Sequence, residues 1–136
     1  MALDRATLAL RAAYWTAAVA DFVVAVLVLI PSRMGVREYV YPMGLMSAVA
    51  LSWGVMLLVA DRRPWERRWM LAPTLLVVAL LGVAQVHAGV SELLVTRRVV
   101  VSVVATVVVF VVVAIGLWVS RGDRPQGSTE GSSQKR

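Results

Sequence analysis

Four polar side chains stand where this 136-residue chain is otherwise strongly apolar: Asp21, Tyr41, Gln85 and His87. Asp21 lies near the middle of an apolar run from Ala12 to Ile30. A charged Asp at the centre of a membrane helix costs about 2.5–3.5 kcal/mol to insert. Nine large apolar residues of the same run, Val19 and those from Phe22 to Ile30 other than Ala25, return about 0.3–0.6 kcal/mol each, so insertion survives narrowly. A carboxyl placed at that cost must face other helices, hold a proton or meet water, and each choice is compatible with an ion or proton pathway. The structural alternative is a neutral Asp21 making one interhelical hydrogen bond, worth about 0.6–2 kcal/mol.

Gln85 and His87 sit near the end of a later apolar stretch, and His87 is the single His of the chain. Three residues before Val90, it lies about 5 Å below the membrane boundary, within reach of water. A haem takes two axial ligands and a zinc site three or four, so one His with no Cys predicts neither metal nor cofactor. Asp21 lies about 8 Å deeper than His87, a distance that water or Tyr41 would bridge. The four residues therefore outline an outward-facing polar cavity, against which stands the plain reading of His87 as a solvated interfacial side chain. No phosphate loop, nucleophile with its base, paired carboxylates or ligand cluster occurs, so no catalytic residues are assigned.

The elements that position these residues follow from composition. The chain is 60% hydrophobic and 16% charged, against about 45–50% and 25% in soluble domains. A hydrocarbon core of about 30 Å needs about 20 helical residues, and four stretches qualify: about 12–30, 39–60, 69–90 and 99–119. Loops of eight residues between them make consecutive helices antiparallel neighbours. The expected fold is an all-α membrane protein, an up-down bundle of four transmembrane helices. The Val-rich last stretch, Val99 to Val119, would favour a strand in water. It is apolar on both faces over its whole length, where a barrel strand alternates over about 10 residues. Helix is expected, because lipid offers a backbone no outside partner. Ala18-Val19-Ala20 has the look of a signal-cleavage site, but the strongly apolar run lies beyond it, so the first stretch is read as a true span.

Ten Lys and Arg fall on one side of these spans (Arg5, Arg11, Arg62, Arg63, Arg67, Arg68, Arg121, Arg124, Lys135, Arg136) and four on the other (Arg33, Arg37, Arg97, Arg98). The bias predicts a cell-membrane protein with both termini cytoplasmic. Tyr14, Trp15, Trp65, Trp69 and Trp118 fall at the same inner interface, and Tyr39 and Tyr41 mark the outer one. The net charge of +6 flanks helices instead of forming one soluble surface, which predicts lipid headgroups as partners and no nucleic acid. The cluster Asp61 to Arg68, broken by Pro64, reads as a structural turn whose acids pair with neighbouring Arg. Residues 120–136 lack large apolar side chains and are expected to form a disordered basic cytoplasmic tail.

Two stripes of small residues suggest close helix approach: Gly44, Ala48 and Ser52 on the second span, and Ala13 and Ala17 leading to Asp21 on the first. If they meet, Ser47 or Ser52 becomes the partner of Asp21. Pro42 and Pro73 fall in first turns, where a missing N–H costs little. Ser102 and Thr106 are expected to bond back to their own helix.

Tyr41-Pro42-Met43-Gly44, Ser52-Trp53-Gly54, Ala13-Tyr14-Trp15, Ala20-Asp21 and the Ala60 to Arg68 segment resemble small uncharacterised bacterial membrane proteins with four spans. The resemblance covers roughly the first two spans and the loop after them. It implies the four-span topology and carries no activity, cofactor or site residue. Size and an acidic first helix are also similar to small multidrug exporters, but the acid here is Asp, the flanking residues differ, and the charge bias opposes dual topology.

Three readings follow. The leading one is a non-enzymatic polytopic membrane protein, an accessory subunit of a membrane complex in which Asp21 packs. The alternative is a small ion- or proton-coupled transporter using Asp21, with a second copy or another membrane protein completing the pathway. The third is a membrane enzyme with His87 as acid or base. The topology is checked by fusing a reporter that is active only outside the membrane to Arg136; it should be silent, and activity would reverse the orientation.

Overall fold

The computed structural model describes residues 5–34, 37–38, 40–91 and 96–122. Four α-helices follow one another: α1 (Arg5–Val28), α2 (Tyr41–Asp61), α3 (Leu71–Val90) and α4 (Thr96–Gly122). Short 3-10 turns at Pro31–Arg33 and Arg68–Met70 follow α1 and lead into α3. All four helices are long and apolar enough to cross a membrane, and no strand occurs among the described residues. Local hydrogen bonding decides this even for the Val-rich α4, because a helix satisfies its own backbone where lipid cannot.

The helices alternate in direction, so the start of α1, the end of α2, the start of α3 and the end of α4 meet at one end, here called the basic end. α1 begins at Arg5, seven residues before the expected span, and carries Arg11 on a regular turn. α4 runs through Ser120 to Gly122, so the expected tail loses its first residues to the helix. The rest of that tail lies outside the described residues, as does Tyr39.

α1 is the organising element. It packs along its length against α2 and α4, while α3 packs against α4. The order across the bundle is therefore α2, α1, α4, α3. One expectation is corrected here: α2 and α3 are antiparallel, yet they do not pack side by side along their lengths. The reason is steric. Where α1 meets its neighbours, glycines allow near contact of backbones. A Cβ at Gly54 would meet the Phe22 ring at 3.0 Å and the Ala18 carbonyl oxygen at 3.3 Å, and one at Gly116 would stand 2.6 Å from Ala13 Cβ. Between α2 and α3 stands instead the indole of Trp53, whose Nε1 donates to Thr74 Oγ1 at 3.3 Å.

The small stripes divide accordingly. Ala13 and Ala17 of α1 are buried, and Ala13 packs on Gly116 of α4. Ala48 and Ser52 of α2 are exposed, and the residues that α2 turns inward are Met43, Gly54, Leu57, Ala60 and Asp61. The apolar core gathers toward the basic end, around Leu10, Tyr14, Leu57, Leu71 and Val113. Toward the opposite end Ala25, Val28 and Met43 remain buried, while many other apolar side chains turn outward, as with Val26, Val83, Val90 and Val101. The least apolar helix, α1, is the most buried and the most apolar, α4, the most exposed, as expected for a bundle whose outer solvent is hydrocarbon.

Overpacking the α1–α4 contact should be costly. Gly116→Val is expected to destabilise the bundle by about 1–3 kcal/mol, measured by denaturant unfolding in detergent, whereas Ala48→Leu on the exposed stripe should leave the midpoint nearly unchanged.

Candidate functional site

Two polar assemblies occupy the bundle, one at the basic end and one at mid-depth. The first is built around Asp61, the last residue of α2, which is buried. Arg11 and Trp15 are one helical turn apart on α1, so both reach it. Arg11 donates from Nε to Asp61 Oδ1 at 3.2 Å and from Nη2 to Oδ2 at 3.3 Å, and Trp15 Nε1 donates to Oδ2 at 3.2 Å. The turn that follows is tied down at each side. Trp65 Nε1 donates to Thr7 Oγ1 at 3.0 Å, Tyr14 Oη to the Pro64 carbonyl at 3.5 Å, and Arg68 Nη1 to the Ser120 carbonyl at 2.8 Å.

The sequence expectation for this turn is half met. Glu66 pairs with Arg63, its neighbour, at 3.2 Å, while Asp61 reaches across to Arg11, 50 residues away. Arg11 and Trp15 on the α2-facing side of α1 were the available signal, but pairing them with Asp61 required knowing which face of α1 meets α2.

At mid-depth stand Asp21 and, on the other helices, the bonded pair Gln85 and Thr106. Asp21 follows Tyr14 by seven residues and precedes Val28 by seven, and both are buried. It therefore lies on the interior seam of α1, between the faces that meet α2 and α4. Its Oδ2 is buried and has no hydrogen-bond partner. Ser52 does not serve: its hydroxyl donates to the Ala48 carbonyl of its own helix at 2.8 Å. Gln85 is partly buried on α3, and its Oε1 accepts from Thr106 Oγ1 of α4 at 3.1 Å. Thr106 thus bridges two helices in place of the expected bond back to its own backbone.

The four residues expected to share a cavity separate into two groups. Asp21 on α1 and Gln85 on α3 are each partly buried, and Gln85 is bonded to Thr106 and not to Asp21. His87 is exposed on another face of α3, where it lines a groove of about 600 Å³ between α3 and α4 that is otherwise mostly Val, with Phe110 and Thr106. Tyr41 begins α2 and is 75% exposed. Among the described residues, no three His, Cys, Asp or Glu side chains come together as a group that could hold a metal ion.

Fold and site together define a small four-helix membrane protein with one carboxyl set into its interior and a charged latch closing one end. No protein-family model, curated protein or solved structure matches the chain.

Asp61→Ala should cost about 1–3 kcal/mol, because it leaves the Trp15 N–H and the half-exposed Arg11 without their acceptor. In a double-mutant cycle with Arg11→Ala the two losses should be less than additive, as measured by unfolding in detergent.

Proposed function

We propose that this chain is a multi-pass protein of the cell membrane with both termini in the cytoplasm, and that it acts as a small ion- or proton-coupled carrier through Asp21. The observation that carries the reading is the buried Asp21 Oδ2 with no hydrogen-bond partner, on the interior seam of α1. The accessory-subunit reading makes Asp21 a packing residue. That role calls for an interhelical hydrogen bond at Oδ2, and the carboxyl oxygen lacks one. A carboxyl held in the low-dielectric interior changes its charge only when water or an ion reaches it, which is the elementary step of a coupled carrier.

The surroundings support access from one side. At the basic end the Asp61 latch and the pinned turn seal the helices together. At the opposite end, the cross-element side-chain bond among the described residues is Arg98 Nη1 donating to the Ser32 carbonyl at 3.1 Å. The Arg-rich basic end supports its assignment to the cytoplasmic side, so the looser half faces outward. A single four-helix unit encloses little volume, so a second copy or another membrane protein completes the pathway.

The test is infrared spectroscopy of lipid-reconstituted protein across pH, with Asp21→Asn to assign the carboxylic C=O band. The expected result is a band that disappears reversibly as pH rises and is missing in Asp21→Asn. A band unmoved across the accessible range, with Asp21→Asn altering only stability, would return Asp21 to packing and the protein to the accessory-subunit reading.

A further inference from the structure

We infer that the species exchanged at Asp21 is a proton and not a metal cation, and that the Thr106–Gln85 pair forms the polar surface against which the carboxyl takes and releases it. This inference rests on the carrier reading above and names its substrate class.

Position comes first. Gly116 of α4 packs against Ala9 and Ala13 of α1, so it stands level with about residue 11. Ten residues further along α1 is Asp21, and ten residues back along the antiparallel α4 is Thr106. Equal rise per residue puts the two at one depth. Their faces agree as well. Thr106 precedes the fully buried Val113 by seven residues, as Asp21 follows the fully buried Tyr14 by seven. Both therefore lie on interior seams. Gln85 follows the buried Thr74 by eleven residues, three helical turns, and is held at this level by its bond to Thr106. Three helices thus contribute one polar group each to a single layer.

The donor set decides what the layer can hold. A hard cation takes about six oxygen ligands. Here one carboxylate stands with one hydroxyl and one amide, and those two are already bonded to each other. Their neighbours along the interior faces, Phe22, Gly54, Gly82 and Val109, add no side-chain oxygen. A proton makes no such demand. Hydronium transfers H⁺ to Asp21, one O–H bond forms, and water departs. The neutral carboxyl can then donate to Gln85 Oε1 or the Thr106 hydroxyl oxygen, and the carboxylate can accept from the Gln85 amide, the Thr106 O–H being donated to Gln85.

Among the described residues, Asp21 is the one carboxyl at this depth, and His87 is the titratable group nearest the pair. On α2 the nearest is Asp61, seven residues beyond Gly54 and engaged by Arg11 and Trp15. On α3, His87 lies two residues beyond Gln85 and is exposed in the groove toward α4 that Thr106 also lines. Arg11 on α1 and Arg98 on α4 lie ten and eight residues from the layer, about 12 Å or more along their helices.

The experiment repeats the infrared titration of reconstituted protein in Na⁺, K⁺, Li⁺ and choline at constant ionic strength, with Thr106→Val, Thr106→Ser, Gln85→Leu and, as a control one turn away, Ser102→Ala. The Asp21 titration should not move on exchanging cations. Thr106→Val and Gln85→Leu should shift the protonated C=O band to higher frequency through loss of a hydrogen bond, Thr106→Ser should restore it, and Ser102→Ala should leave it in place. A titration displaced about tenfold by tenfold more of one metal cation overturns the proton assignment while leaving the carrier reading intact. A band indifferent to both Thr106→Val and Gln85→Leu overturns the role of the pair. Absence of any titrating Asp21 band removes the carrier reading itself. The cation series uses the unaltered protein, so it decides even where a variant fails to fold.

Discussion

Within a bilayer, two helices gain nothing by hiding apolar surface from each other that lipid does not already cover, so their association depends on how closely the backbones approach. In this bundle that approach is made by α1. Gly54 admits the Ala18 carbonyl and the Phe22 ring on one side, and Gly116 admits Ala9 and Ala13 on the other. The remaining arrangement follows. With α1 held by both, α2 and α4 are kept apart across its interior seam, and α3 docks on α4 without closing against α2. The same seam carries Asp21, so the contact that builds the bundle also decides where the carboxyl points.

The two ends differ in how they are joined. At the basic end, charge-assisted bonds to Asp61 and side-chain bonds from the following turn connect α1, α2, α4 and the turn that leads into α3. Such bonds are strong where hydrocarbon excludes water, and Arg11, half exposed, keeps part of its guanidinium at the interface. The apolar core lies against this latch. Asp21 stands beyond the apolar core cluster, in the half where Ala25, Val28 and Met43 are buried and Val26, Val83 and Val101 face outward. A carboxyl at that position sits in a low dielectric, where an unpaired charge is costly.

Thr106 illustrates how a modest side chain acquires a role from its neighbours. On a lone helix its hydroxyl would return to its own backbone. Packed against α3, it donates to Gln85 instead and holds that amide inside the bundle. Trp53 does similar work between α2 and α3, filling the space and ending on Thr74, which in turn donates to the Met70 carbonyl.

Four helices, their lengths within about six residues, their alternating directions and the concentration of Arg at one end were legible in the sequence, because hydrocarbon thickness and local backbone hydrogen bonding act on each segment alone. Asp21 was legible for the same reason: an intramembrane carboxyl is costly whatever surrounds it. Which helices touch was not. Gly44, Ala48 and Ser52 form as good a small-residue stripe as the face through Gly54, and no single helix reveals which stripe its neighbour will choose. The union of Asp61 with Arg11 and Trp15, the bond between Thr106 and Gln85, and the separation of His87 and Tyr41 from Asp21 therefore belong to the tertiary structure. Each depends on the rotation of one helix about its axis relative to another, a quantity set by the fit of all the contacts together.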